Sequence, residues 1–245
     1  MQKPHILIIF LSLCCGISHA QYPFESVKSI QYKIFKEWKT TVDPKDELPV
    51  MREIEISKFD LKTDGLTIKQ QLKWTLPDSI LYSEMEIYSH NKIIKEFAVG
   101  NTPLYQPLPV FVADINGDGL NDIKILFPNY ASGAYNYYCQ TVLLFQNKNG
   151  TFNDIIYSDI YENFENKPER DFNNDGQYEI FTQTFQQYGA HNYWLFNLYN
   201  YKNGGLVNVN ALANYPIMIP LDSYEISTKI TRKKMKSFAI KSPVE

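Results

Sequence analysis

Two short acidic segments constrain the fold and chemistry of this chain more than any other feature. Residues 114–122 and 171–179 both follow the pattern Asp-x-Asn-x-Asp-Gly-x-x-Asp/Glu. Alternate oxygen-bearing side chains can converge on one point, and the glycine allows a tight turn because it adopts positive φ without steric cost. Calcium takes its ligands from carboxylates, amide and backbone carbonyls, and water. The pattern therefore predicts two calcium-binding loops.

Each loop is expected to supply three side chains, one backbone carbonyl and a closing carboxylate. An EF-hand is excluded because its twelfth position needs a bidentate Glu, whereas these loops have Ile125 and Thr182 there. Both loops instead lead into strand-like runs, residues 123–127 and 180–184. The alternative is a pair of acidic surface turns that bind no metal. The predicted ligands are Asp114, Asn116, Asp118, the carbonyl of Leu120 and Asp122 in the first loop, and Asp171, Asn173, Asp175, the carbonyl of Gln177 and Glu179 in the second.

The N-terminus has the pattern of a secretory signal peptide over residues 1–20. A charged start precedes an apolar centre at residues 6–13, and a small-residue cleavage site ends at Ala20. The apolar run is too short for a transmembrane segment. A lipid anchor on Cys14 or Cys15 is disfavoured because neither follows a small residue. We expect a secreted or periplasmic protein that is cleaved after Ala20.

The composition of the mature chain limits its partners and its means of stabilisation. It has 23 basic and 27 acidic residues, a balance that argues against nucleic acid as a partner. Cys139 is its only cysteine, so no intrachain disulfide can form. Because exported domains often rely on disulfides, bound calcium is the candidate that would stabilise this one.

The two acidic loops lie in segments that resemble each other. Residues 133–138 match residues 189–194, and both segments read as strands separated by an acidic loop and by polar turns. We therefore expect an all-β fold of antiparallel, propeller-like repeats in a single domain, residues 21–245. The expected divisions are a degenerate repeat at 54–108, calcium-loop repeats at 109–165 and 166–222, and a basic C-terminal strand or tail at 223–245.

Three regions allow more than one interpretation or lack a strong pattern. Residues 24–38 fit either a helix or a strand, because their apolar residues match both periods. The Asp64-Gly65 turn is either a degenerate loop without metal or an ordinary hairpin. Residues 157–167 read as the loop that joins the two calcium-loop repeats.

Several segments resemble known repeats. Residues 111–119, followed by residues 144–152, resemble the FG-GAP and VCBS repeats of secreted β-propellers and integrin-like heads. The resemblance covers residues 108–215 and implies that each acidic loop joins two strands of a blade and holds one calcium ion. Residues 192–199 and 206–212 are also similar to a group of periplasmic propeller-like proteins. Since some of those inhibit peptidoglycan-cleaving enzymes, an inhibitor of a peptidoglycan hydrolase is one role that the resemblance implies.

Catalysis finds little support in the residues. The mature chain has two histidines, His90 and His191, and it contains neither the H-E-x-x-H zinc motif nor the G-x-S-x-G nucleophile motif. Cys139 lies in a strand-like pattern that is typical of a packed thiol. A carboxylate pair acting on a glycan stays open, because its separation is not visible in the sequence. We expect a protein that is not an enzyme.

Aromatic residues cluster after both acidic loops, interleaved with Asn, Gln, Ser and Gly. Large rings with few rotatable bonds, beside adaptable amides, make an effective contact surface for a protein or a glycan. The alternative is that the rings fill a β core. We expect a non-catalytic protein that binds a protein or a cell-wall glycan. The candidate binding residues are Tyr135, Tyr137, His191, Tyr193 and Trp194.

Overall fold

A computed structural model describes residues 24–45, 49–59, 65–75, 80–99, 108–128, 138–161, 166–221 and 230–244. Within these ranges the chain forms fourteen β-strands and one short helix. Their strand pairings are antiparallel, so the expected all-β, antiparallel fold is confirmed. The signal peptide expected at residues 1–20 and the candidate binding residues Tyr135 and Tyr137 lie outside the described residues.

Sheet I is a five-stranded meander in the order β2-β3-β4-β5-β6. Buried and more exposed residues alternate along these strands, because successive side chains point to opposite faces of the sheet. Ile54, Ile56 and Ile68 are buried on one face, while Glu53 and Glu55 lie on the other. The strands are β2 (Lys39–Val42), β3 (Pro49–Ser57), β4 (Gly65–Thr75), β5 (Ile80–Ser89) and β6 (Lys92–Ala98).

Sheet II has five strands in the order β1-β7-β8-β9-β10. The first acidic loop connects β7 to β8. β1 resolves part of the ambiguous N-terminal region as a strand, since Lys33 pairs with Val112. The strands are β1 (Lys33–Phe35), β7 (Val110–Ala113), β8 (Asp122–Pro128), β9 (Tyr138–Gln146) and β10 (Phe152–Ile160).

Sheet III has four strands, with β12 at its centre. The second acidic loop leads into β11, and the two-residue turn Gly189-Ala190 joins β11 to β12. Both turn residues have positive φ, 58° and 61°, which matches the twist that tight hairpins require. β13 and β14 pair with successive parts of β12. The strands are β11 (Ile180–Tyr188), β12 (His191–Lys202), β13 (Gly205–Asn208) and β14 (Ile217–Pro220).

The three sheets are joined by continuous apolar clusters, with sheet II in the middle. Ile54 and Ile87 of sheet I pack in one buried cluster with Ile123 and Val142 of sheet II. The opposite face of sheet II packs on sheet III in a second cluster that contains Phe145, Ile155, Ile180 and Tyr199. The described strands do not close into a barrel or a propeller ring. Only the antiparallel all-β part of the expected architecture is therefore confirmed.

The N-terminal segment, residues 24–35, connects sheets II and III. Its Phe24 ring stacks on Phe181 of β11 with ring centroids 4.1 Å apart. The Ile30 amide donates to the carbonyl oxygen of Glu169 at 2.9 Å, immediately before the second acidic loop. Further along, β1 completes the edge of sheet II. One short segment thus bridges elements more than a hundred residues away.

The sequence predicts a basic strand or tail at 223–245, but its described part contains helix α1 (Arg232–Lys236). Thr231 caps the helix, because its hydroxyl accepts the Lys234 amide. After the helix, Phe238 and Ile240 pack with Met218 in a buried cluster beneath sheet III. Local capping and apolar contact therefore override the strand interpretation. Within the described residues, no helix is long and apolar enough to cross a membrane.

Candidate functional site

The first acidic loop folds its side chains toward its own backbone. Asp114 Oδ1 accepts the amide of Asp118 at 3.0 Å, and Oδ2 accepts that of Gly119 at 2.9 Å. Asn116 Oδ1 accepts the Asp118 amide at 3.0 Å, and Asp118 Oδ1 accepts the Leu120 amide at 2.9 Å. The side chains at positions one, three and five therefore all point to the inside of the turn.

The second acidic loop repeats these hydrogen bonds position by position. Asp171 accepts the amides of Asp175 and Gly176, each at 3.1 Å. Asn173 accepts the Asp175 amide at 3.1 Å, and Asp175 accepts the Gln177 amide at 2.8 Å. The glycines at position six share one conformation as well, with φ of 84° at Gly119 and 86° at Gly176. The two loops are thus built alike.

The carboxylate at position nine is buried in both loops. Asp122 is fully buried, and its oxygens accept the amides of Ile115 at 2.9 Å and Gln146 at 3.0 Å. Burial is the main reason that the pKa of Asp122 is raised to about 7, and the charges of Asp118 and Asp114 add to the increase. The two hydrogen bonds act in the opposite direction and lower the pKa. In the second loop, burial likewise raises the pKa of Glu179, which accepts the Phe172 amide at 2.8 Å.

The two acidic loops touch each other. The Tyr178 amide donates to the carbonyl oxygen of Ile115 at 3.2 Å. Gly117 lies so close to the second loop that a Cβ placed on it would be 3.1 Å from Gln177 Cγ. The sequence pattern predicts each loop separately, and it contains no signal for this contact.

The donor chemistry of both loops suits calcium. Carboxylate and amide oxygens at positions one, three and five face inward, and the remaining predicted ligands are a backbone carbonyl and a buried carboxylate. Among the described residues no ion pair involves a loop carboxylate. The same part of the chain contains no group of three or more His, Cys, Asp or Glu placed to hold a metal. Calcium binding therefore stays a prediction that rests on the oxygen donors and the missing counter-charge.

A buried ionic cluster lies between sheet II and the second loop. Lys124 Nζ is 2.7 Å from Glu169 Oε1, and both side chains are at most 2% exposed. The Tyr32 hydroxyl also donates to Glu169. Lys167 Nζ lies 2.9 Å from Asp159 Oδ2, and burial lowers the pKa of Lys167 although Asp159 opposes that shift.

The buried ionic cluster connects β10 with β11, and β8 with the segment that precedes the second loop. Asp159 on β10 accepts the amide of Gln183 on β11 at 2.7 Å, which links sheets II and III. Glu169 stands two residues before the second loop, so its pair with Lys124 anchors the entry to that loop. Sequence reasoning missed the cluster, although a lysine inside the apolar run of residues 123–127 was its visible signal.

The predicted binding residues have different environments. Tyr193 is buried at 2% exposure with Leu195 and Met218, so its expected surface role is wrong. Trp194 points to the opposite face of β12 because side chains alternate along a strand, and it is partly exposed. His191 is partly exposed at the start of β12, directly after the Gly189-Ala190 turn.

Trp194 has apolar neighbours on both sides. Phe185 of β11 and Ile219 of β14 lie directly opposite it in the strand register. Phe185 is 46% exposed, and Ile219 is partly exposed. We call Phe185, Trp194 and Ile219 the apolar row, which runs across three strands of sheet III. Trp194 and Ile219 also pack against the buried cluster that contains Phe196 and Leu198 on this face.

Cys139 is fully buried on β9. Burial raises the pKa of its thiol to about 12, and the nearby Asp159 charge adds to the shift. The thiolate is the nucleophilic form of cysteine, so this thiol stays protonated and unreactive near neutral pH. The environment agrees with a packed thiol.

A cleft of about 540 Å³ is lined by residues of β9, β10 and β11. Its third wall is formed by Ile240, Ser242 and Pro243, which follow α1. The described residues that line it include no acidic or basic side chain. The cleft is therefore distinct from both acidic loops and from the buried ionic cluster.

No protein-family model matches this chain, and a comparison with curated proteins finds no match to its sequence. The class of protein is consequently defined by the fold and by the two loops alone: an antiparallel all-β protein with two equivalent acidic loops.

Proposed function

We propose that this chain is a secreted or periplasmic, non-catalytic protein that two calcium ions stabilise and that binds another macromolecule, a protein or a cell-wall glycan. The apolar row on sheet III is the observation that carries the binding role. Inhibition of a peptidoglycan hydrolase is the most specific form of this function, and it rests on the resemblance of residues 192–199 and 206–212.

The repeated hydrogen bonds of the two loops support calcium binding. Asp114, Asn116, Asp118 and Asp122 would hold one ion, and Asp171, Asn173, Asp175 and Glu179 the other, each with one backbone carbonyl. Each ion would supply the positive charge that the loop carboxylates lack. At a free calcium concentration about ten times the dissociation constant, one site adds roughly 1.4 kcal/mol to stability.

The apolar row supports recognition of a macromolecule. Exposed apolar side chains that lie next to one another mark binding surfaces, whereas isolated ones need no explanation. Trp and Phe are large and lose little conformational entropy when they are held at an interface. These features favour a flat, partly aromatic contact surface.

The surroundings of the reactive side chains support a non-catalytic protein. Asp159 and Glu169 are each paired with a buried lysine. A glycan-cleaving enzyme needs two carboxyl groups that flank its substrate, and none lies among the described residues of the cleft. The protonated Cys139 thiol argues against a nucleophilic cysteine.

The function is tested by binding assays in calcium against purified peptidoglycan and lysozyme-type hydrolases. We expect one of these to bind and Phe185→Ser to weaken it about tenfold or more, because a few large side chains carry most of the energy of an interface and Phe185 is the most exposed member of the row. The matched control is Val207→Ser, since Val207 is also 46% exposed but lies outside the apolar row. Equal affinity of the two variants would show that the row is not the binding surface.

A further inference from the structure

The cleft between β10 and β11 has the dimensions of a ligand site that the proposed function does not use. Its volume of about 540 Å³ lies within the range of about 300–1,000 Å³ that is typical of small-molecule pockets. β10 is the outer strand of sheet II and β11 that of sheet III. The two strands are joined by the Asp159–Gln183 hydrogen bond.

The chemistry of the lining is uncharged and rich in hydroxyl groups. Among the lining residues that are at least partly exposed, Ser158 and Thr184 contribute hydroxyls, Gln140 an amide and Tyr138 an aromatic ring. Thr182 and Tyr157 are buried. Hydroxyl and amide groups exchange hydrogen bonds with a polyhydroxylated ligand, and rings cover its apolar faces. An ionic ligand would lose its hydration here without gaining a counter-charge, which is costly.

The third wall is fixed in position. The carbonyl oxygen of Ile240 accepts the Tyr199 hydroxyl at 3.0 Å and the Asn208 amide at 2.8 Å. The Ile240 amide donates to Asn197 Oδ1 at 3.2 Å. Asn197 is fully buried and also accepts the side-chain amide of Asn210 at 2.9 Å. This network holds the segment that carries Ser242 and Pro243 against the cleft.

We propose that the cleft binds a short, neutral oligosaccharide. The described part of the lining offers no counter-charge to an acidic or basic ligand, while the hydroxyls, the amide and the Tyr138 ring match the two kinds of surface that a sugar presents. The rigid third wall gives the site a constant shape, which selective binding requires. This site depends on neither the calcium loops nor the apolar row.

The experiment is isothermal titration of the full-length mature protein with chitotriose, cellotriose and maltotriose. We expect saturable binding of at least one, and at least tenfold weaker binding to Ser158→Trp, because Ser158 is exposed at the cleft and a tryptophan there would fill it. The control is Val207→Trp, which adds the same side chain to the face of sheet III that points away from the cleft. Its affinity should equal that of the unmodified protein.

Three results would overturn the proposal. One is the absence of saturable binding for all three sugars up to about 10 mM, ten times the dissociation constant of a weak site near 1 mM. The second is equal affinity of Ser158→Trp and Val207→Trp. The third is a preference for trigalacturonate or for an extended tripeptide over every neutral sugar. Thermal melting of both variants separates loss of binding from loss of folding.

Discussion

The two acidic loops share a backbone and a set of hydrogen bonds, yet they differ at positions four and nine. Position four is Gly117 in the first loop, where a Cβ would press on Gln177. It is Asn174 in the second, with φ of 57°. Both conformations are left-handed, so only the packing differs. The ligand spacing therefore sets the shape of each loop, and the neighbouring loop sets which side chain position four tolerates.

At position nine, the surroundings of the loop likewise determine the pKa of the buried carboxyl. Both carboxyls accept the amide of position two in their own loop, Ile115 and Phe172 respectively. Asp122 is also tied to sheet II through the Gln146 amide. Burial is the main cause of the raised pKa at both carboxyls. The free-energy cost of burying this charge thus depends on the surrounding sheets, so the sequence pattern alone does not predict it.

The largest expected effect is a pH dependence of the stability of calcium-free protein, which arises from Asp122 in the first loop. The pKa of Asp122 lies near 7 in the folded state, against an ordinary value of 3.8. Its contribution to stability is therefore complete below pH 4 and is lost as pH rises through about 7. A shift of this size corresponds to roughly 4 kcal/mol. Urea unfolding in chelator from pH 4 to 8 measures it.

Asp122→Asn provides the comparison for that pH series. The variant cannot titrate at this position, so its stability should fall less steeply between pH 4 and 7, whatever its absolute value. Asp43→Asn, which changes a partly exposed aspartate outside both loops, should keep the slope of the unmodified protein. Identical slopes for all three proteins would contradict the burial cost assigned to Asp122.

The next effect tests the two calcium ions one at a time. Asp118→Ala and Asp175→Ala should each remove one site from a calorimetric titration of the chelated protein. Each should also reduce the calcium-dependent gain in stability by about 1.4 kcal/mol at tenfold calcium excess. Asp43→Ala is the control and should retain both sites. An unchanged two-site isotherm in either loop variant would contradict the predicted ligands.

A further effect, the difference between two substitutions, concerns position four. Gly117→Ala introduces a Cβ at φ of 74° and against Gln177, and the left-handed conformation alone costs about 1–2 kcal/mol. Asn174→Ala removes a side chain that already tolerates this φ, so we expect a change below about 1 kcal/mol. Urea unfolding of both variants measures the difference. Equal losses would mean that contact between the loops has no energetic weight.

Features that depend on local spacing were accessible from the sequence. The strands after the two loops, at residues 123–127 and 180–184, follow from the local residue pattern, and the structure has them. The region expected as a joining loop at 157–167 instead continues β10 to Ile160. The sequence does not indicate a strand there because Asp159 is charged, yet it is buried beside Lys167. A buried charged residue breaks the alternation of apolar and polar residues by which a strand is recognised.

Features that depend on distant partners were not accessible. Nothing local shows that Lys33 pairs with Val112, or that Lys124 meets Glu169. Tyr193 and Trp194 are adjacent in sequence, and only the position of the neighbouring sheets decides that the first is buried and the second exposed. Residue type therefore identified aromatic candidates but not the face on which each lies.

The N-terminal segment also has a consequence for the order of assembly. Residues 24–35 leave the ribosome early, but their partners Phe181 and Glu169 are synthesised more than a hundred residues later. Contacts of such long sequence separation form slowly. Sheet III and the entry to the second loop therefore acquire these contacts only after residues 169–181 have been synthesised.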